Sequence, residues 1–380
     1  MKSPRRQFLH LVTGAAALSV FWRVATAETY PSRPVHLIVP YAPGGATDIT
    51  ARLVGPWLSE RLSQTFIIES RPGAATNIGT ESVAHSAPDG YTLLLFDPVA
   101  AINATLFDKL NFNFVRDIAP IVLIMRTPFV IVVNPSVPAK TLPEFIAYAK
   151  AHPGKINMAS GGTGGASHLA GELFNVMAGV EMTHIPYRGG GPAATNLLGG
   201  QVDVFFAPVS TVMQYIKADK LRALAVSSTT RFQELPDVPT VSDFVSGYEA
   251  SYWIGLGAPK KTPEEIVTKL NNEVNAALTT PDMQARFAQQ GAIVAGGSPS
   301  DSKNSSLTRR RSGARSSRLR ISSRNDVGRY SIVFSEVCVM PALPPKAEIR
   351  AGPSYVRRTN SGSREVGSSR ADVWSLCQRR

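Results

Sequence analysis

Three times in this chain a short apolar run ends in a glycine-rich turn that opens into a helical pattern. Val35 to Val39 leads into Pro40-Tyr41-Ala42-Pro43-Gly44-Gly45-Ala46-Thr47-Asp48. Ile156 to Ala159 leads into Ser160-Gly161-Gly162-Thr163-Gly164-Gly165-Ala166-Ser167-His168, and Met182 to Ile185 into Pro186-Tyr187-Arg188-Gly189-Gly190-Gly191-Pro192. A strand that feeds a helix through a tight turn is the building unit of a mostly parallel sheet, which restricts the fold to the α/β class. The turns also have chemical content. First-turn amides of a helix lack a carbonyl partner and sit at the positive end of its dipole, so each turn can hold an anion. Three such turns predict one pocket lined by several helix N-termini.

The same alternation runs through the rest of the body. The spacing predicts a helix after Asp48, capped by that residue, with Ile49, Leu53, Trp57 and Leu62 on its apolar face. Short strands are expected at Phe66 to Ile68 and Tyr91 to Phe96, with a helix over Asn77 to His85 and Asp97-Pro98 ending the second strand. Ile118 to Met125 and Phe129 to Val133 read as two apolar runs separated by Arg126-Thr127-Pro128, a crossing between domains. Thr141-Leu142-Pro143-Glu144 and Thr262-Pro263-Glu264-Glu265 read as helix starts. Strands are expected at Val202 to Ala207 and Leu221 to Val226, and Tyr252 to Ala258 as a return strand. The layout is a first domain of 28–127 plus 252–301 and a second of 128–251, whose two connections allow hinge closure around a ligand.

Charge has to be divided before it carries meaning. Residues 1–300 hold 23 Lys and Arg against 22 Asp and Glu, whereas 301–380 hold 17 against 6. The formal +12 therefore belongs almost entirely to the tail, and the body gives no reason to expect nucleic acid. Residues 1–27 read as an export signal: a basic start at Lys2, Arg5 and Arg6, an apolar run from Leu11 to Trp22, and Ala25-Thr26-Ala27 as a cleavage site. The run is shorter than the ~20 residues a membrane anchor needs. Arg5-Arg6 leaves both the Sec and the twin-arginine routes open. Cys338 and Cys377 both lie in the tail, so the body offers neither a disulfide framework nor a thiolate metal site.

From Ser302 onward Ser and Arg dominate and no structural period persists. One reading is a disordered basic tail that binds polyanions. The genetic code supplies another. Codons for Ser302 to Asp326, read one nucleotide out of register, can encode DFKKLIADETEKWGKVIKAANIKPE followed by a stop. That alternative places apolar residues at helical spacing among strong helix formers. A slip of the reading frame near Asp301 is therefore expected, with 302–380 a frameshifted tail.

The ordered set of motifs resembles a known family. Pro43 to Asp48, Arg71-Pro72-Gly73 with Asn77-Ile78-Gly79, Ala87-Pro88-Asp89-Gly90-Tyr91-Thr92, Ser160 to His168 and Pro186-Tyr187-Arg188-Gly189 together resemble the Bug (TctC-like) receptors of tripartite tricarboxylate transporters. The resemblance covers about 28–301, and the family's C-terminal helix is what the shifted frame restores. It implies a two-lobed type II periplasmic binding protein (Venus-flytrap) fold that captures a small organic carboxylate in the periplasm. It also implies delivery of that ligand to the transporter's membrane subunits. Two pincers are implied, Tyr41 to Asp48 and Ser160 to Ser167. Thr47, Thr163 and Ser167 would offer hydroxyls, Gly161, Gly164, Gly165 and Ala166 backbone amides, and Tyr41 a surface for the ligand's carbons. The expected site accordingly comprises Tyr41, Gly44, Gly45, Ala46, Thr47, Asp48, Ser160, Gly161, Thr163, Gly164, Gly165, Ala166, Ser167, His168, Tyr187 and Ala207. No cofactor is implied, and a monomer is expected.

Each of these positions also has a plainer reading. The glycines permit tight turns and close packing. His168 suits a structural role near a helix start, Arg188 and Tyr187 could brace loops, and Asp48 could serve as cap and brace more than as ligand contact. Ala207-Pro208 offers shape and a carbonyl without charge, which favours a ligand with no amine there. Walker-type phosphate binding fails because no Lys-Ser or Lys-Thr follows the glycines. The hydrolase elbow G-x-S-x-G and metalloprotease spacing are absent, so no enzyme is expected, with a carboxylate-converting enzyme in the same cleft as the rival class.

Overall fold

The computed structural model describes residues 30–107 and 109–297. The expected export signal and the Ser/Arg-rich tail both lie outside the described residues. In chain order the elements are β1 (Val35–Val39), α1 (Ala46–Leu62), β2 (Phe66–Ser70), α2 (Asn77–Ala84), β3 (Thr92–Phe96), α3 (Pro98–Leu106), α4 (Phe114–Asp117) and β4 (Ile118–Val133). There follow α5 (Leu142–Ala151), β5 (Ile156–Ser160), α6 (Ala166–Ala178), β6 (Met182–Pro186), α7 (Gly190–Leu198), β7 (Val204–Pro208), α8 (Val209–Lys217) and β8 (Arg222–Val226). The described chain closes with β9 (Ser251–Pro259), α9 (Glu264–Thr279), α10 (Pro281–Gln289) and β10 (Ile293–Val294).

The fold is α/β and two-lobed. β1, β2 and β3 are parallel, as the strand–turn–helix units require, and β5 runs parallel to both β6 and β7. β9 and β4 join these two parallel sets by antiparallel pairing, giving the order β2-β1-β3-β9-β4-β7-β5-β6. β4 is one continuous strand of 16 residues, where the sequence reads as two runs broken at Arg126-Thr127-Pro128. The proline is tolerated because the strand changes partners there. Ile118 to Pro128 pair with β9, and Phe129 to Val133 pair with β7 and β8. A residue without an N–H falls at the seam, and the next amide, Phe129 N–H, is taken by Ser227 Oγ at 2.8 Å. Among the described residues, no helix is long and apolar enough to cross a membrane.

α1 corrects two expectations. Its buried side is Ala46, Thr47, Thr50, Ala51, Val54 and Leu58, while Leu53, Trp57 and Leu62 are only half-buried. Small residues face the sheet because the helix lies close to it: a Cβ added at Gly55 would already touch Ile68 and Leu37 at 3.4 Å. Asp48 is not the N-cap. The helix begins at Ala46 with Gly45 as cap, which leaves Asp48 in the first turn.

Candidate functional site

Four strand-to-helix turns meet at one pocket. From the first come Tyr41, Gly45, Ala46 and Thr47; from the turn before α6, Gly161, Gly165, Ala166 and Ser167; from the start of α7, Gly190. A fourth turn, between β7 and α8, supplies Pro208 and Thr211, and Phe205 and Tyr252 complete the walls. The space between these walls is about 410 Å³ with the open solvent at its mouth included, and the enclosed part is only about 30 Å³, a narrow cleft between the turns. No charged side chain lines it.

The polar groups of the first turn are committed before any ligand arrives. Asp48 Oδ2 accepts the Gly44 N–H at 3.0 Å and the Arg52 Nε–H at 2.9 Å, so the carboxylate braces the loop from beneath. Burial has been accepted for that bond: Asp48 is 3 % exposed. Arg52 in turn is held charged by its bond to Asp48. The glycine loop before α6 is wired in the same way. Ser167 Oγ accepts the Gly161 N–H at 2.9 Å, Ser160 Oγ accepts the Gly162 N–H at 3.1 Å, and His168 Nδ1 accepts the Gly164 N–H at 3.0 Å. Gly165 N–H goes to Gly162 O. Of the amides expected to meet a ligand, those of Gly161, Gly164 and Gly165 are therefore consumed within the loop. The amides left facing the pocket belong to the first turns of α1 and α6, at Ala46, Thr47, Ala166 and Ser167, which have no intrahelical acceptor.

Half of the expected site residues line the pocket: Tyr41, Gly45, Ala46, Thr47, Gly161, Gly165, Ala166 and Ser167. The others support it from a distance. Gly44 and Asp48 bond to each other, and Ser160 sits 2.6 Å from His184 Nε2. Gly164 and His168 form the loop bond just described. Thr163 is exposed, and Ala207 is packed into the core opposite Val130. Tyr187 is half-buried beside Ile185, with its amide on Ser160 O at 3.0 Å. Arg188 is exposed, and its carbonyl accepts the Ala42 N–H at 2.8 Å. That bond joins the first and third turns. Gly189, at φ +141°, lies against Ala42 so closely that a Cβ would stand 3.1 Å from its nitrogen. Glycine is required there by both conformation and contact.

Sequence reasoning missed Thr211, Phe205, Gly190 and Tyr252 in the lining and a carboxyl behind it. Thr211 is 2 % exposed, and its Oγ1 has no partner, although it lines the pocket. The helix that carries it, α8, follows Pro208 with no glycine to announce it. Phe205 and Gly190 sit in recognised runs but gave no separate signal. The last feature is a buried carboxyl behind the pocket. Asp97 caps α3 by accepting the Val99 N–H at 3.0 Å, and its Oδ2 accepts the hydroxyls of Tyr41 and Tyr252, each at 2.6 Å. Tyr252 also meets Thr47 Oγ1 at 3.0 Å. Burial pushes Asp97 up from the usual carboxyl range, opposed by these donors, and pushes both phenols well above theirs, with the Asp97 charge adding to the effect. An Asp-Pro pair after a strand is a helix-start signal as well as a strand stop, and it could have located α3.

Residues 50–307 match the model of the Tripartite tricarboxylate transporter family receptor, TctC. The chain belongs to this family. BugT of Bordetella pertussis is 39% identical over 272 residues, covering 70% of this chain and 83% of that protein. Among solved structures, R. palustris Rpa4515 with adipate superposes with a TM-score of 0.71 at 32% identity, covering 81% of this chain and 98% of the other. The periplasmic binding protein BugD gives 0.70 at 33% identity, covering 82% and 99%. The superposition places this chain in the same two-lobed binding-protein fold as these TctC relatives.

Proposed function

We propose that this TctC-family chain is an extracytoplasmic receptor that closes two lobes over a small organic carboxylate and passes it to the membrane subunits of a tripartite transporter. The observation that carries this reading is the convergence of four helix N-termini on a pocket without a charged side chain. Helix ends and neutral donors stabilise an anion without burying an unpaired cation, which suits reversible capture. In this reading the carboxylate sits on the amides of Ala46, Thr47, Ala166 and Ser167, with the Ser167 hydroxyl beside them. The lobes are 28–127 plus 252–301 and 128–251, and β4 and β9 form the connections that flex. Adipate in Rpa4515, at 32% identity, supports the ligand class. The family and the 1–27 leader support export to the periplasm.

The receptor performs no chemistry. Asp97 has its lone pairs filled by phenols and backbone, and His168 and His184 are turned into the glycine loop, so the pocket has no free general base. We read 302–380 as the product of a slipped frame, which resequencing of the gene decides. Thermal unfolding against mono-, di- and tricarboxylates tests the central reading. A ligand at a hundred times its Kd adds about 2.7 kcal/mol, or roughly 5–10 °C for a body of this size. No stabilisation by any carboxylate, or turnover of a bound one, would refute the reading.

A further inference from the structure

We infer that the pocket is wired to take a carboxylate that carries a hydroxyl next to it, with Thr47 Oγ1 accepting a hydrogen bond from that hydroxyl. The inference rests on the carboxylate-receptor reading above and narrows its ligand class. It begins at Asp97. Both phenols lie 2.6 Å from the same oxygen, and the other oxygen accepts the Val99 N–H at 3.0 Å. A carboxyl surrounded by donors is an acceptor, so the protons of Tyr41 and Tyr252 both point at it.

A phenol has a single proton. Tyr252 has spent its own on Asp97, so at its 3.0 Å contact with Thr47 Oγ1 it can only accept. Thr47 is then the donor in that bond, and its oxygen retains lone pairs alone. Thr47 and Tyr252 both line the pocket, and Thr47 is 2 % exposed, so water has little access to satisfy that oxygen. Across the pocket the opposite holds. Ser167 Oγ already accepts the Gly161 N–H at 2.9 Å, which leaves its proton free to donate.

The pocket therefore has a donor side at Ser167 and the helix amides and an acceptor at Thr47. A plain carboxylate has only acceptors, and one placed against Thr47 would oppose lone pair to lone pair. A hydroxyl on the adjoining carbon fills the vacancy. An ammonium group would also donate, but four positive helix ends and a lining without any carboxylate disfavour a cation. The ligand class is thus a hydroxycarboxylate rather than a plain acid or an amino acid.

The test is calorimetric titration of the full-length chain with acids that differ by one group: malate, succinate and aspartate, and lactate against propionate. The hydroxy acid is expected to bind about tenfold tighter than its plain counterpart, the effect of one buried hydrogen bond and of the unpaired acceptor left without it. Thr47→Val should erase that difference and Thr47→Ser preserve it. Tyr252→Phe frees the Thr47 proton and should narrow the difference by improving the plain acid. Should Thr47→Val fail to fold, the serine and phenylalanine variants still decide. Plain acids binding as tightly as hydroxy acids to the parent protein would overturn the inference and leave the receptor reading standing. Tighter binding of aspartate than of malate would overturn it in favour of an ammonium. No binding by any of the acids would overturn both.

Discussion

Thr211 and the two stacked histidines show what single side chains contribute here. A buried hydroxyl without a partner costs the empty protein stability, and a ligand that reaches it recovers the cost. Thr211→Val should therefore leave the unliganded unfolding temperature unchanged or slightly raised while weakening ligand binding about five- to tenfold, read by differential scanning and titration on one preparation. The imidazoles of His168 and His184 stack at 3.7 Å beneath the glycine loop. Burial pushes His168 down to about 3, with the neighbouring His184 contributing, and burial alone pushes His184 down to about 4. Both are neutral in the fold and titrate near 6.5 when unfolded. The unfolded chain thus binds more protons between those limits, so stability is full above 6.5 and is lost as pH falls towards 4. Between pH 7 and 5 His168 should cost on the order of 1–2 kcal/mol, with a smaller share from the more solvated His184. Unfolding temperature against pH measures this, and His168→Asn, which keeps an acceptor for the Gly164 N–H but does not titrate, should flatten the curve. His168, expected from sequence both among the site residues and as a structural residue, is fastened to its loop by the Gly164 N–H. Its partner His184 was invisible because their contact spans two strand–helix units.

Among the elements, α3 links loop architecture to the pocket. The Asp97-Pro98 pair at its start ends β3, and Asp97 caps the helix and accepts the hydroxyls of both pocket tyrosines. Asp97→Ala removes a cap and leaves two buried phenols unpaired, so it should cost about 3 kcal/mol or more, and lower the unfolding temperature by roughly 6–12 °C. Chemical denaturation at neutral pH checks it. A substitution at exposed Asp282 supplies the contrast, because solvent can replace its Arg286 partner. The strands were legible almost to the residue: β1 as Val35–Val39 and β5 from Ile156, where apolar runs broken by His36 and Asn157 mark largely buried strands. Helix faces were less so. The large residues of α1 advertised a face that lies half outside, because close approach to the sheet selects Ala51, Val54 and Gly55 instead. α8 went unread for the related reason that a helix beginning after proline, without glycine or an acidic cap, has no local start signal.

At the scale of the whole molecule, the three glycine turns were readable because each is local: a strand, a turn and a helix start within about fifteen residues. The Asp97–Tyr252 bond joins residues 155 apart, and the fourth wall of the pocket comes from a loop with no motif. Long-range pairing of this kind has no sequence period to betray it. Closure is the property to measure. Small-angle scattering should show the radius of gyration falling when a bound carboxylate saturates the protein, as hinge closure around a ligand requires. An unchanged value at saturation would mean that the lobes do not move. The contact that brings the turns together is main chain to main chain, Ala42 N–H to Arg188 O, with Gly45 and Gly190 in backbone contact alongside. Such a clasp is indifferent to most side chains. On the receptor reading proposed above, side chains that line the pocket can change without touching this main-chain clasp, so selectivity and closure are set by separate parts of the same two turns.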